Sequence, residues 1–239
     1  MTTTKKMFAE LLLKLECILI KSNTHFLGKT FFFFFLISIV AFSQKKATKK
    51  FTTTFKEITI STEGLDDLVL ENSASEFIEI FLFAENPNKQ HIVVEEKSTE
   101  TEIKFKIPVF KSEEAVFRKY ITKRLKRASA TIKLPKNQQV SIFGDNINIT
   151  SNSYNGNLAI YIENGIVKLD TIQQNLELKM YAGSLFGALK KTNLNVVSNL
   201  GKIKIDAIFY QNIYQEKEMT TPKKVSITTI KGNIFLTHQ

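Results

Sequence analysis

From Asn157 onward, apolar and polar residues recur with a period of 18 residues, and within each unit they alternate. Four columns of equivalent positions share this spacing: Leu158, Leu176 and Leu194; Ile160, Leu178 and Val196; Val167, Leu185 and Ile203; Gly165, Gly183 and Gly201. Alternation inside a longer repeat is typical of stacked β-strands. The sequence therefore predicts that equivalent side chains lie over one another in a shared apolar core.

The same register continues on both sides of these units. It extends backwards by 18 residues to Val140, Ile142 and Ile149, and forwards by 31 residues to Val225, Ile227, Gly232, Ile234 and Leu236. The forward offset indicates one further unit with a 13-residue insertion. Within a unit, Leu158 to Ile162 predicts one short strand, a turn at 163–165 reverses the chain, and Val167 and Leu169 belong to a second strand. Glycine in the turn column suits a positive φ.

The segment between residues 55 and 134 carries further strand signals. Apolar alternation, interrupted by Asn, Pro and Gly, predicts strands at 55–60, 68–70, 78–83, 92–94, 103–107 and 130–134. Residues 113–127 differ, since they fit either a short helix capped near Ser112 or a pair of strands. We therefore predict an all-β, single-domain β-solenoid, a β-helix-like stack of short strands, over residues 55–239.

The front of the chain has the pattern of an export signal. Lys29 precedes an apolar run at 31–42 that ends in Ala41-Phe42-Ser43, which predicts a secretory signal peptide cleaved near Ser43 and Gln44. The run has 12 residues, whereas a membrane-spanning helix needs roughly 20. Residues 1–25 fit no signal-peptide layout and suggest a later start of translation. The Lys- and Thr-rich stretch 44–54 predicts a flexible linker.

Composition agrees with an exported chain. The formal net charge is +10, and the single cysteine, Cys17, lies in the leader, so the exported part needs no disulfide. We expect the protein in the periplasm, on the outer-membrane surface or outside the cell. Export makes intracellular nucleic acid an unsuitable partner.

The leader, the strand at Thr131–Pro135 and the Gly-x-apolar-x-apolar repeats together resemble the putative-adhesin, head-GIN-like β-solenoid family of exported bacterial proteins, a domain of unknown function. The resemblance covers residues 55–236 and implies a solenoid with a non-enzymatic, adhesin-like binding or structural role in the cell envelope. It transfers no site residue. The chain departs from the pattern at 118–127 and at the insertion 207–223.

Candidate catalytic and metal-binding residues are scattered. The histidines, His25, His91 and His238, have no metal-ligand spacing. Paired carboxylates such as Asp66-Asp67 point to opposite faces of a strand. We predict no catalytic, metal or cofactor site. The alternative is a polysaccharide-active β-helix enzyme, which needs acid and base residues clustered on adjacent coils; the outward positions Ala159, Glu177 and Asn195 show no such cluster.

A basic segment is the first candidate for binding. Six cations occupy ten residues: Arg118, Lys119, Lys123, Arg124, Lys126 and Arg127. Such density predicts contact with an anionic surface or acidic polysaccharide, or it is only a solvated face. The first possibility supports another alternative function, a periplasmic envelope protein that docks on anionic membrane through this segment.

The insertion and the C-terminal end give two further expectations. Phe209, Tyr210 and Tyr214 lie in the insertion and suggest a recognition loop, or aromatics that cover the edge of the core. Leu236 lies three residues from the end, which leaves little chain to cap the last coil. We therefore expect self-association through an unpaired C-terminal edge.

Overall fold

The computed structural model describes residues 45–84, 86–107, 128–218 and 220–239, and Lys45–Gln239 form one compact unit. The described residues form β-strands and a single 3₁₀ turn, Lys89–His91. The strands are β1 (Lys46–Phe51), β2 (Glu57–Ser61), β3 (Asp67–Asn72), β4 (Ile78–Ala84), β5 (Ile92–Glu96), β6 (Glu100–Phe105), β7 (Ala128–Leu134), β8 (Gln139–Asn146), β9 (Asn148–Ser151), β10 (Asn157–Ile172), β11 (Leu176–Leu189), β12 (Asn193–Ser198), β13 (Ile203–Ile205), β14 (Ile208–Tyr210), β15 (Ile213–Glu216) and β16 (Lys224–His238).

All 16 strands belong to one nearly closed, barrel-like sheet that can be followed as two rows. Row A runs β5, β6, β2, β8, β10, β11, β16, β12, β15, and row B runs β1, β4, β7, β3, β9, β10, β11, β16, β13, β14. The long strands β10, β11 and β16 contribute their first halves to row A and their second halves to row B. The inward side chains of both rows form one hydrophobic core. The predicted all-β class is confirmed.

The 18-residue register agrees with the pairing of β8, β10 and β11. Val140, Leu158 and Leu176 are neighbours on parallel strands, and each is buried. The predicted reversal at 163–165 is wrong, because β10 continues through it as one strand. Burial changes from even to odd positions between Ile162 and Val167, so the alternation slips by one residue there, as at a β-bulge.

Glycine in the bend column takes backbone geometry that other residues avoid. Gly165 has a φ of 153° and Gly183 a φ of 119°, and the two are paired across β10 and β11. A Cβ on Gly183 would collide with the backbone carbonyl of Gly165. The predicted positive φ is confirmed at these two positions and is absent at Gly201.

The order of the last two coils differs from the prediction. We expected Leu194 to lie directly over Leu176, but β16 is inserted between β11 and β12, so Val225 separates them. β16 is paired with β11 on one side and with β12 and β13 on the other. The expected unpaired C-terminal edge is therefore wrong, and self-association through it loses its basis.

The insertion covers the end of the sheet for which the sequence predicted no capping segment. β14 pairs antiparallel with β13, and β15 pairs antiparallel with β12, so this segment runs back along the two preceding strands. The return brings the chain to the point where β16 enters the stack. At the opposite end β5 pairs antiparallel with β6 in row A, and β1 and β4 are antiparallel strands in row B. Antiparallel strands thus close both ends of the parallel stack.

Residues 46–51 correct the expectation of a flexible linker over 44–54. They form β1, which pairs along its length with β4. Ala47 is buried, whereas Lys46 and Lys50 are exposed. An edge strand needs only one inward residue and tolerates lysines, which explains why so polar a segment is ordered.

A small polar cluster lies inside the core near the capped end. The Ser198 hydroxyl donates to the Gly232 carbonyl over 2.9 Å and accepts from the Gly201 amide over 3.1 Å. The Thr229 hydroxyl lies 2.9 Å from the Ser198 hydroxyl and 3.0 Å from the Gly232 carbonyl. These hydrogen bonds pair polar groups that are buried and cannot reach water.

The predicted signal peptide and the predicted helix at 113–127 lie outside the described residues. Within the described ranges, no helix is long and apolar enough to cross a membrane. In the same part of the chain, no group of three or more His, Cys, Asp or Glu side chains is placed to hold a metal ion.

Candidate functional site

The structure separates the three aromatic residues predicted as a recognition loop. Tyr210 and Tyr214 pack against the hydrophobic core, with ring centroids 4.4 Å apart in a tilted arrangement. They cover the core edge, as the alternative interpretation had it. Phe209 lies on the outer face and is 62% exposed. The basic segment Arg118–Arg127 lies outside the described residues, so its anionic contact stays a prediction.

Phe209 belongs to a line of side chains that crosses the outer face of row B. The line runs through one residue of each neighbouring strand, and its members are Lys168, Phe186, Phe235, Lys204 and Phe209. We call it the aromatic–lysine ladder. Lys168, Phe235 and Lys204 stand between buried neighbours on their own strands, so alternation directs them outward. Phe186 and Phe209 are exposed on the same face. In-register pairing, parallel from β10 to β13 and antiparallel between β13 and β14, places the five residues side by side.

Two phenylalanines form the centre of the aromatic–lysine ladder. The rings of Phe186 and Phe235 are stacked, with centroids 5.0 Å apart and planes 12° apart. Phe186 is 42% exposed. Among the described residues, lysines lie over the rings of Phe77, Phe81, Tyr161, Tyr181 and Phe209, and none lies over Phe186 or Phe235. The central pair is thus an uncovered aromatic surface.

A shallow open groove of about 630 Å³ runs beside the ladder. Small residues of β11 and β16 line it, Gly187, Ala188 and Thr237, one or two positions beyond the phenylalanines. Asp170 on β10 and Asp206, directly after β13, also line the groove. One side of the groove therefore carries ammonium groups and aromatic rings, and the other carries carboxylates.

A hydrogen-bond network fixes Asp206. The backbone N–H of His238 donates to one carboxylate oxygen of Asp206, and the His238 Nδ1 lies 2.9 Å from the other. The His238 Nε2 lies 3.2 Å from a Glu216 oxygen, which also accepts from the Tyr214 hydroxyl over 3.0 Å. β13, β15 and β16 thus meet at one histidine, close to the groove.

These contacts change the acidity of the groups involved. The bond to Asp206 raises the pKa of His238, and the same bond lowers the pKa of the Asp206 carboxyl. Burial, together with the bond to Glu216, raises the pKa of Tyr214 to about 12. Near neutral pH Asp206 is therefore ionised and Tyr214 is protonated.

A second aromatic pair lies on the outer face of row A, but its ring is already engaged. Phe143 and Tyr161 are stacked with centroids 5.1 Å apart. The Lys179 Nζ lies 5.5 Å from the Tyr161 centroid and 2.8 Å from a Glu177 carboxylate oxygen. The polar groups around this pair already contact one another, which makes it a suitable control for the uncovered pair of row B.

The sequence held a signal for the aromatic–lysine ladder that our prediction missed. Lys168, Phe186 and Lys204 are spaced by the 18-residue period, and Phe235 follows Lys204 by the 31-residue offset. We tested only the outward column Ala159, Glu177 and Asn195. Applying the same register to each outward position would have found the ladder.

Comparison with known proteins gives a fold but no family. No protein-family model matches the chain, and no curated protein matches it in sequence. The crystal structure of a "putative cell adhesion protein" from Clostridium sporogenes ATCC 15579 has a TM-score of 0.58 at 16% identity and covers 82% of this chain and 100% of its own. At this identity the likeness shows a shared fold.

Two further crystal structures match with much lower TM-scores. A "putative adhesin" from Bacteroides fragilis NCTC 9343 has a TM-score of 0.30 at 17% identity and covers 82% of this chain and 98% of its own. A "putative adhesin" from Parabacteroides merdae ATCC 43184 has a TM-score of 0.34 at 18% identity and covers 67% of each chain. Superpositions this weak carry no argument, so the comparisons end at the fold shared with the clostridial protein.

Proposed function

We propose that this chain is an exported, adhesin-like binding protein of the cell envelope, without enzymatic activity, that holds its ligand on the outer face of row B. One observation carries the proposal: Phe186 and Phe235 form an uncovered, stacked pair between two lysines. Exposed aromatic surface of this kind is often a contact site. The fold shared with a protein named for cell adhesion is in keeping with this role.

The test is binding of the full chain to isolated envelope polysaccharides. The variant F186A/F235A should lose most of the binding, because both central rings are removed. The variant F143A/Y161A is the matched control, since it removes a stacked pair of the same geometry from row A. Equal binding by both variants and the unmodified protein would remove the row B face from the function.

We also propose that the stack is a β-solenoid whose coils are interchangeable. The support is the in-register pairing of β8, β10 and β11 at one period. Deleting residues 157–174 removes one coil and should leave a cooperatively folding protein, because Leu176 then takes the place of Leu158. Deleting nine residues, 157–165, should abolish folding, since it shifts every later side chain. Circular dichroism melts distinguish the two, and loss of folding in both would contradict the solenoid.

Export is proposed from the sequence of the leader. Cell fractionation, followed by protease treatment of intact cells, tests it. Digestion on intact cells supports a surface role, and protection within the envelope fraction supports a periplasmic one. Recovery of the uncleaved chain in the cytoplasm would defeat the proposal.

One observation supports the alternative that the protein is an enzyme: the carboxylates of Asp170 and Asp206 line the same groove. Glycoside hydrolysis needs two carboxyls about 5–9.5 Å apart, whereas Asp170 lies on β10 and Asp206 directly after β13, three strand spacings or about 14 Å away. The geometry therefore favours binding over hydrolysis. Release of new reducing ends from a polysaccharide, lost in D206N, would reverse this choice.

Contact of the basic segment with an anionic surface is a separate proposal, supported by six cations between Arg118 and Arg127. Sedimentation of the full chain with anionic vesicles should be strong at low salt and should weaken steeply as salt rises. Replacing the six residues by Gln should abolish it. Binding that ignores salt, or that survives the replacement, would remove this segment from the function.

A further inference from the structure

We infer that the groove of row B takes an acidic polysaccharide, a chain of uronic acid units lying across the strands; this rests on the proposed function. The first support is a repeated motif. Lys168-Leu169-Asp170 and Lys204-Ile205-Asp206 are 36 residues apart, two periods, and place Lys and Asp at both ends of the groove. Between these ends lie the two phenylalanines of the ladder and small residues.

The orientation of the rings favours an anionic ligand. Phe186 and Phe235 stack face to face across neighbouring strands, so their edges point away from the sheet. The edge of an aromatic ring is positive and its face negative. From Lys168 to Lys204, the ladder therefore presents two positive charges and, between them, the weakly positive edges of two neutral rings to a ligand above it.

The two lysines have no carboxylate partner. Among the ion pairs of the described residues, neither Lys168 nor Lys204 takes part in one. The Lys204 Nζ lies 5.5 Å from the centroid of the Phe209 ring, a contact that leaves its charge uncompensated. The two lysines stand three strand spacings apart, about 14 Å. A linear polymer with carboxylates spaced along its length can reach both at once, which a single small anion cannot.

The carboxylates restrict which polyanion fits. Asp170 lies two residues after Lys168 on β10, Asp206 lies two residues after Lys204 in the turn that follows β13, and both line the groove. They repel an anionic bilayer or a nucleic acid backbone but accept hydrogen bonds from hydroxyl groups. The ligand must therefore be anionic toward the lysines and rich in hydroxyls toward the aspartates. A uronic acid polymer has both properties, and its apolar ring hydrogens can pack on the phenyl edges and the small residues of the groove.

The experiment measures binding of the full chain to polygalacturonate, its neutral methyl ester, dextran sulfate and duplex DNA. We expect polygalacturonate to bind and its methyl ester to bind weakly. The variant K168Q/K204Q should weaken binding of polygalacturonate about tenfold, since two exposed ion pairs are lost. Lys179→Gln, in row A, is the matched control and should leave it unchanged.

The aspartates separate this inference from general attraction to polyanions. The variant D170A/D206A should weaken polygalacturonate and strengthen dextran sulfate and DNA, because it removes both the negative charge and the oxygens that accept from hydroxyl groups. D170A alone gives the same test without touching the contacts of His238. If D170A strengthens polygalacturonate as well, the groove is a general polyanion surface and the inference is overturned.

Two other outcomes are also decisive. If a neutral polysaccharide binds through Phe186 and Phe235 while polygalacturonate does not, the inference fails and the proposed function stands. If none of the variants of the aromatic–lysine ladder changes binding of any polymer, the proposed function fails with it. Circular dichroism of each variant checks that the substitutions leave the fold intact.

Discussion

Replacing Leu178 by Ala tests the core on which the whole architecture depends. Leu178 is fully buried and lies between Ile160 and Ile227 on the neighbouring strands. The substitution removes three carbons, about 2.4 kcal/mol of transfer free energy at about 0.8 kcal/mol each. The flanking strands are fixed by their pairing and cannot close the cavity, so we expect a total loss of about 3–4 kcal/mol.

Urea unfolding followed by circular dichroism measures this loss of unfolding free energy. The control is Glu177→Gln, one residue earlier on the outer face, where an exposed ion pair is worth at most about 1 kcal/mol. A loss for Leu178→Ala below about 1 kcal/mol, or one no larger than the control, would mean that this position is not part of a dry interior. The stacked arrangement would then need another explanation.

Three further predictions concern the bend, the buried polar cluster and the histidine network. Gly183→Ala should destabilise the fold by more than about 1 kcal/mol, because of its positive φ and the carbonyl behind it, whereas Gly187→Ala should cost less; urea unfolding compares them. Thr229→Val should cost about 1–3 kcal/mol in the same assay, because the buried oxygen of Ser198 or Gly232 that accepts the single Thr229 hydroxyl proton loses that hydrogen bond. His238→Gln should reduce stability most in mildly acidic solution, where His238 is charged and Asp206 is ionised.

The pH window for the histidine follows from the two pKa shifts. The pKa of His238 is raised by folding, so its contribution is fully present below its unfolded value of about 6.5 and is lost as pH rises through the folded pKa. The pKa of Asp206 is lowered, so its contribution is present above about 3.9 and is lost as pH falls through the folded pKa. Melting temperatures of the unmodified protein and His238→Gln should therefore differ most between about pH 4 and 6.5. A difference that is constant from pH 4 to 9 would refute this account.

The sequence predicted the columns of the core because few arrangements of the strands can bury all the apolar side chains of a repeated pattern. It did not predict the order of the last coils. Val225 matches the register equally well beyond Leu194 or between Leu194 and Leu176, since all three are apolar. The return path of β14 and β15 decides between the two, and such antiparallel pairing leaves no periodic trace in three- and four-residue strands.

The remaining differences have similar causes. Lys and Thr dominate β1 and predict a flexible segment, yet its backbone hydrogen bonds to β4 order it despite this composition. The candidate site depends on outward residues, and burial does not constrain their type. Only the register brings Lys168, Phe186 and Lys204 together, so the site becomes visible once the stack is known.

The position of β16 between β11 and β12, two strands that precede it in the sequence, has a consequence for biosynthesis. β12 and β13 leave the ribosome before the strand that joins them to β11, so they have no permanent neighbour on that side until β16 arrives. Folding therefore cannot simply follow synthesis from one end to the other. The capped end closes only when β16 has been delivered, which leaves the incomplete chain vulnerable to proteolysis until then.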